Sequence, residues 1–462
     1  TPKYTRLDLN GGYWQELYST RRPVNSNTEY EKKSIIKNYV PIDHITLQML
    51  PEYLELAKDV EISPLPELPY QRADFNMVPR GSFSADKQIF DVIEKYGIKH
   101  AVFSPEVYES RYFEQGDFRK LHKAGVQTLD FMVFSEENGK IQQINPHWHA
   151  DQFNEKNAVS ATTGLMKKWL EVDKNNQVLF HFQEVNCLFG GWGKNIKSND
   201  VVKHYGYDNI DNKSVQECFD LHINEILSFT NEVLHEFGSD AERVKKLYLP
   251  DRAGLNPAYW VKAGADIIVM KNIHRQSVNI VTSSARGMAN SYDIEYGYDV
   301  DLWDRCTKLG YHPDEFKQIC RVYIHAGGKY LIEEGLSPSV EGKFTKKGKA
   351  WLEMAKYAKS HPPLGKQVVQ IAVMRGYGDE WHTIGSPSSS WESGYYEKTV
   401  NGENYLRDYN LLDHLFAEFG TYWNTKPDRL CTGTPYGPVD FIPWEAPINK
   451  LNKYKLIVIM GF

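Results

Sequence analysis

Cysteine is scarce in these 462 residues: Cys187, Cys218, Cys306, Cys320 and Cys431 are scattered and odd in number. That excludes a disulfide framework and any CxxC metal or redox motif, and each thiol is read as a small apolar side chain. An excess of one charge is also lacking. Lys and Arg number 54 against 60 Asp and Glu, a formal net charge of −6, and no basic run marks a nucleic-acid or anionic-membrane partner. No apolar stretch reaches the roughly 18 to 20 residues that span a bilayer, so membrane insertion is not expected. No charged-then-apolar leader opens the chain. The first residue is Thr1 rather than Met, which reads as a processed or shortened start and gives an expectation of a secreted or periplasmic protein. Gly-rich phosphate loops are missing as well: none follows the first strand, and Gly376-Tyr377-Gly378 is a lone GxG. No cofactor is expected.

Aromatic residues are plentiful, with 29 Tyr, 21 Phe and 11 Trp, a surplus that suits stacking of sugar rings in a groove. The chain length allows one large domain plus a smaller one. Residues 1–70 lack a clear period and carry Pro-spaced stretches such as Ser63-Pro64-Leu65-Pro66-Glu67-Leu68-Pro69, so they read as an N-terminal wrap or accessory segment. From about residue 71 to 362, short β-branched or aromatic runs alternate with amphipathic helices. The expected strands are Asp74 to Val78, Lys99 to Ser104, Thr128 to Phe134, Gln177 to Val185, Lys246 to Leu249, Asp266 to Met270, Tyr292 to Tyr296 and Lys329 to Ile332. Eight βα units match a closed (β/α)8 barrel, whose active sites lie at the C-terminal strand ends. Residues 363–462 read as a second α/β unit, from the strand at Lys366 to Gly376 through a helix at Asn410 to Phe419 to a buried parallel strand at Tyr454 to Phe462. A sheet that stops there lacks its next crossover helix, and the expectation is a truncated domain.

Ionisable groups at the strand ends are the candidates for chemistry, because charge on apolar strands is costly unless functional or paired. The fourth strand ends in His181-Phe182-Gln183-Glu184 and the seventh in Asp293-Ile294-Glu295-Tyr296-Gly297. Cleavage of a glycosidic bond needs two carboxyl groups, one protonating the leaving oxygen and one acting as nucleophile or base. Glu184 and Glu295 fill those places, with Asp251, Glu333 and Glu334 as substitutes; pairing with nearby Arg or Lys is the structural alternative. Trp148, Trp192 and Trp303 follow strands three, four and seven where a sugar could stack, beside His149. His147 and His149 have no carboxylate at metal-ligand spacing, so no metal is expected. Lys271, His274 and Arg275, with Arg252, form a basic cluster that would either pair with rim carboxylates or bind a sulfate or uronic acid.

The run Ile294-Glu295-Tyr296-Gly297 resembles the nucleophile strand of the retaining glycoside hydrolases of clan A. The resemblance implies an acid/base at the end of strand four and a nucleophile at the end of strand seven, where Glu184 and Glu295 fall. Gln183 precedes Glu184 where that clan usually has Asn. Gly437-Pro438-Val439-Asp440-Phe441-Ile442-Pro443 and the following strand resemble the glutamine-amidotransferase-like domain of family 42 β-galactosidases, which implies a non-catalytic, oligomer-building role and a homo-oligomer. The expected activity is therefore hydrolysis of an oligo- or polysaccharide, with a galactoside or sulfated galactan as the implied substrate. Two other readings stand beside it: a non-catalytic carbohydrate-binding or assembly protein, and an amidotransferase or peptidase using Cys431, which does not lie on a strand-to-helix elbow.

Overall fold

The computed structural model describes residues 76–78, 80–81, 87–103, 115–137, 139–144, 154–183, 215–249, 258–272, 278–301, 313–334, 339–340, 343–344, 346–361, 367–375 and 437–459. Within them, a parallel sheet is built from β1 (Asn76–Val78) and β2 (Arg80–Gly81), β3 (His100–Phe103), β4 (Thr128–Phe131), β7 (Gln177–Gln183), β8 (Val244–Leu249), β9 (Ile267–Asn272), β10 (Glu295–Asp301) and β11 (Tyr330–Glu334). Between β4 and β7 lie β5 (Phe134–Glu137) and β6 (Lys140–Gln143), an antiparallel hairpin. β1 pairs with β11 and β2 with β3. Only Pro79 separates β1 from β2 in sequence, so the two act as one strand and the sheet closes on itself. Followed from Val78 to Ile332, Asp299, Lys271 and onward, the register returns to the first strand about eight residues further along, the stagger of an eight-stranded βα barrel.

Alternation along these strands divides two cores. Val78, Val102, Leu179, Leu247, Leu249, Ile267, Val269 and Ile332 face one another inside the barrel. Met77, Ala101, Phe180, Phe182, Ile268, Met270, Tyr298 and Leu331 face outward against the helices. Those helices are α1 (Lys87–Tyr96), α2 (Gln115–Ala124), α3 (Glu155–Val172), α4 (Val215–His235), α5 (Ala258–Lys262), α6 (Val278–Tyr292), α7 (Pro313–Ala326) and α8 (Lys346–Ser360). Trp169 and Trp351, both in helical patterns, are core as their spacing suggests. Trp169 Nε1 donates to the Gln177 carbonyl at 2.9 Å and ties α3 to the start of β7.

Three of these helices close in the same way. A residue in the left-handed region follows the helix, and the next N–H returns to a carbonyl five residues back. Gly97, Gly125 and Gly264 supply the turn for α1, α2 and α5, with Ile98, Val126 and Ala265 donating to Ile93, Leu121 and Trp260. At the end of α6 Asp293 takes the glycine's place, with φ 57°, and Ile294 donates to Ala289 at 3.1 Å. The seventh barrel strand therefore starts at Glu295, three residues later than the expected Tyr292, and runs on to Asp301.

After β11 comes a short antiparallel pair, β12 (Ser339–Val340) and β13 (Lys343–Phe344). A smaller parallel sheet of β14 (Ile371–Arg375), β15 (Val439–Pro443) and β16 (Leu456–Ile459) has the order β15-β14-β16, with α9 (Ile448–Leu451) between β15 and β16 in the chain. α6 docks on it: a Cβ on Gly287 would stand 2.0 Å from the Phe441 carbonyl oxygen, so only glycine allows the two backbones to approach. The last strand was expected to be buried, and the structure corrects this. Leu456 and Ile459 are 53% and 61% exposed: among the described residues α6 covers β15, the other outer strand, and β16 meets only β14. Cys320 is buried in α7.

Candidate active site at the barrel mouth

All barrel strands run in one direction, so the mouth is ringed by Gly81, Phe103, Phe131, Gln183, Leu249, Asn272, Asp301 and Glu334, the last residues of their strands. Glu295 is not among them. It is the first residue of β10, register-paired with Ile267, the first residue of β9, and so lies at the opposite end from the mouth. The expected rim position is corrected accordingly. The cause is the displaced strand start: a strand at Tyr292 to Tyr296 would have ended near Glu295, whereas the observed strand begins there.

The surroundings of Glu295 are those of a structural anchor. Lys329 Nζ donates to its Oε1 at 2.5 Å, Tyr330 Oη donates to Oε2 at 3.0 Å, and Lys245 Nζ lies 4.0 Å from Oε1. Burial alone would raise its pKa; the Lys329 hydrogen bond, the Lys245 and Lys329 charges and the Tyr330 hydrogen bond outweigh that and hold the carboxyl below its ordinary range. Burial, with the Glu295 charge, pushes the Tyr330 hydroxyl well up.

At the mouth end of the same strand, Asp299 is fully buried. It shares the inward alternation of Glu295 and Gly297, between the outward-facing Tyr298 and Val300. Its register partners are Lys271 on β9 and Ile332 on β11. Lys271, 2% exposed, therefore presents a charge opposite to that of Asp299 on the adjacent strand at the same level. One position pair higher, Asp301 closes β10 in register with Glu334. Across the barrel, Asp130 on β4 and His181 on β7 are both fully buried. Asp130 Oδ2 lies 3.1 Å from His181 Nδ1. His100 is held neutral, its pKa lowered to about 4 chiefly by burial, with Asp130 opposing and His181 reinforcing the shift.

Of the other expected site residues, Glu333 and Glu334 close β11, and Lys271 belongs to β9 just below its last residue. Glu184 follows Gln183 directly in the chain; it and Asp251, Trp148, His149, Trp192, His274, Arg275 and Trp303 lie outside the described residues. Asp130, Asp299 and Asp301 escaped the sequence reading, and His181 was noted at its strand end without a role. Their signal was present as polar residues at inward positions of otherwise apolar strands, and for β10 it required the correct strand start. Among the described residues no three His, Cys, Asp or Glu side chains are set to hold a metal ion, and no helix is long and apolar enough to cross a membrane.

No family model matches the chain, and no curated protein matches it either. Solved structures do resemble it. A GH5_18 from Bifidobacterium longum subsp. infantis superposes with a TM-score of 0.43 at 10% identity, covering 84% of this chain and 97% of that one. The β-galactosidase of the psychrophilic Marinomonas ef1 gives 0.47 at 9% identity over 83% of this chain and 72% of its own. The catalytic domain of a chitinase from Pyrococcus furiosus gives 0.37 at 11% identity, over 63% and 99%. At these identities and scores they bear on shape alone.

Proposed function

We propose that the chain is a glycoside hydrolase acting on an oligo- or polysaccharide at the C-terminal mouth of the barrel. Glu184, the residue after β7, is the general acid/base. Its partner is a carboxylate at the end of β10: Asp301, the last residue of that strand, with Asp299 below it, in place of Glu295. The observation that carries this reading is Asp299 beside Lys271 on the inward face. An apolar barrel interior tolerates such buried charges only where they are paired or put to use, and two carboxylate positions in succession lead up β10 to the rim.

Protonation of the leaving oxygen requires an acid that keeps its proton near neutrality, and attack on the sugar requires a second, ionised carboxylate. Trp148, Trp192 and Trp303, in the chain segments after strands three, four and seven, would stack the sugar, with His149, His274 and Arg275 bonding its substituents. A galactoside or sulfated galactan as substrate, a secreted or periplasmic location, and a C-terminal unit that serves oligomer formation in the manner of amidotransferase-like domains all accord with this chemistry.

The test is release of reducing ends from a panel of neutral and sulfated saccharides. Glu184→Gln and Asp301→Asn should lower turnover by about a thousandfold or more, while Glu295→Gln should stay within severalfold of wild type. Asp299→Asn in place of Asp301→Asn as the inactive variant would move the partner one inward position down the strand. Binding without cleavage by the wild type would identify a carbohydrate-binding protein instead. Loss of activity in Glu295→Gln with the fold intact would overturn the assignment to β10's far end.

A further inference from the structure

Below its mouth the barrel interior is lined by apolar residues along most strands. Three successive strands of the sheet break this pattern: β3, β4 and β7 contribute His100, Asp130 and His181, all buried. Among the described residues, only the contact between His181 Nδ1 and Asp130 Oδ2, at 3.1 Å, satisfies any of their side-chain polar atoms. Both ring nitrogens of His100, Oδ1 of Asp130 and Nε2 of His181 are buried and meet no hydrogen-bond partner among the described residues. The groups sit at inward positions of three adjacent strands: Asp130 lies two residues beyond Thr128, the register partner of His100, and His181 two beyond Leu179, the register partner of Asp130. The His100 ring also meets Tyr330 edge to face at 5.1 Å. Four such atoms side by side are too costly to leave without a ligand.

The chemistry of the donor set selects that ligand. The Asp130 carboxylate accepts from His181 Nδ1–H, which leaves a lone pair on His181 Nε2 and another acceptor at Asp130 Oδ1. Neutral His100 offers one N–H and one lone pair. Three acceptors and one donor are thus open, and a single ligand that donates twice and accepts once meets three of the four atoms, all but the lone-pair nitrogen of His100. Water does so; an anion would meet the Asp130 carboxylate, and the three side chains are not set to ligate a metal ion.

We propose that His100, Asp130 and His181 form an internal water site within the barrel, where one ordered water donates to Asp130 Oδ1 and His181 Nε2 and accepts from His100. Buried waters of this kind make about three hydrogen bonds and are costly to remove. The site braces β4 against β7 two residues before Gln183 ends the strand, which makes His181 a positioning residue for Glu184. That consequence rests on the carboxylate chemistry proposed above; the water site itself does not.

Diffraction from the full chain at about 1.5 Å should show a solvent peak within hydrogen-bond distance of Asp130 Oδ1 and His181 Nε2, and nitrogen NMR should find His181 protonated at Nδ1. In His100→Phe, or His100→Gln should the first fail to fold, the peak should move or vanish. On any saccharide the wild type cleaves, kcat should fall about tenfold with KM unchanged. A dry interior in which the imidazoles have turned to protein partners would overturn the water site. So would stoichiometric zinc binding, read by calorimetry and abolished in His181→Phe. Unchanged kcat in a folded variant that has lost the peak would overturn the positioning role alone. A wild type that cleaves no saccharide would sink the carboxylate reading, while diffraction would still decide the water.

Discussion

Asp293 takes up a left-handed backbone conformation with φ 57°, the only non-glycine to do so among the described residues, and this one residue decides which end of the barrel receives Glu295. Glycine ended α1, α2 and α5 and could be read as a stop signal; aspartate at the same station could not, so the β-forming Tyr292 and Tyr296 looked like a strand when Tyr292 still belonged to α6. Non-glycine residues in this region pay a steric cost that glycine avoids. Asp293→Gly should raise stability by about 0.5 to 1 kcal/mol in denaturant unfolding, because the Lys450 ion pair it forfeits involves an aspartate that is mostly exposed. Glu295, one step beyond the turn, is an anchor with a depressed pKa. The unfolded chain therefore takes up this proton at higher pH than the folded one. The pair's stabilisation is complete above the ordinary carboxylate range and is lost as pH falls through the lower folded value. Glu295→Gln should cost about 1 kcal/mol at pH 7 and flatten the acid limb of a stability curve measured from pH 7 to pH 3, with no matching loss of turnover.

Elements were legible in the sequence to the extent that their signals were local. All eight barrel strands overlap their expected spans, the seventh only at Glu295 and Tyr296, because each is a short apolar run between amphipathic helices, the pattern of a parallel sheet covered on its outer face. The hairpin of β5 and β6 was missed beyond Phe134, where the expected third strand ended, although Asn138-Gly139 before Lys140 offered a two-residue turn signal. Exposure of β16 was not legible at all: Leu456-Ile457-Val458-Ile459 is as apolar as a central strand, and what separates it from β15, the other outer strand, is that α6 packs on β15. The docking of α6 is equally non-local. Gly287 in a helix ordinarily costs about 1 kcal/mol relative to alanine, which predicts a gain for Gly287→Ala. The added methyl would, however, stand 2.0 Å from the Phe441 carbonyl oxygen, and backbone cannot move aside as a flexible side chain would. The clash should win, so that Gly287→Ala loses about 1 to 3 kcal/mol and lowers the melting temperature rather than raising it.

The barrel and the small sheet are joined through α6, which carries outward barrel packing on one side and a buried polar network on the other. Arg286 donates to Asp440 Oδ1 at 2.6 Å, to Gln367 Oε1 at 2.6 Å and to the Val439 carbonyl at 2.8 Å. Tyr454 completes the aspartate by donating to Oδ2 at 2.6 Å. Burial alone would favour loss of the Arg286 proton, and the Asp440 carboxylate outweighs it, raising the pKa further. Tyr292 at 2.7 Å and Lys262 at 3.2 Å add a second tie through Glu445. Replacement of a paired buried ion by an apolar set is often harmless, but removal of one partner strands the other and costs about 3 to 5 kcal/mol. Wild-type barrel and sheet should therefore melt in one calorimetric transition. In Asp440→Ala the uncompensated Arg286 lies at the joint, and the penalty falls on the contact between the two units rather than on the barrel's own closure. The sheet should then release first, giving a separate low-temperature transition while the barrel retains most of its melting temperature. A single transition at unchanged temperature in that variant would mean that the apolar contact around Gly287 holds the two units together without the ion pair.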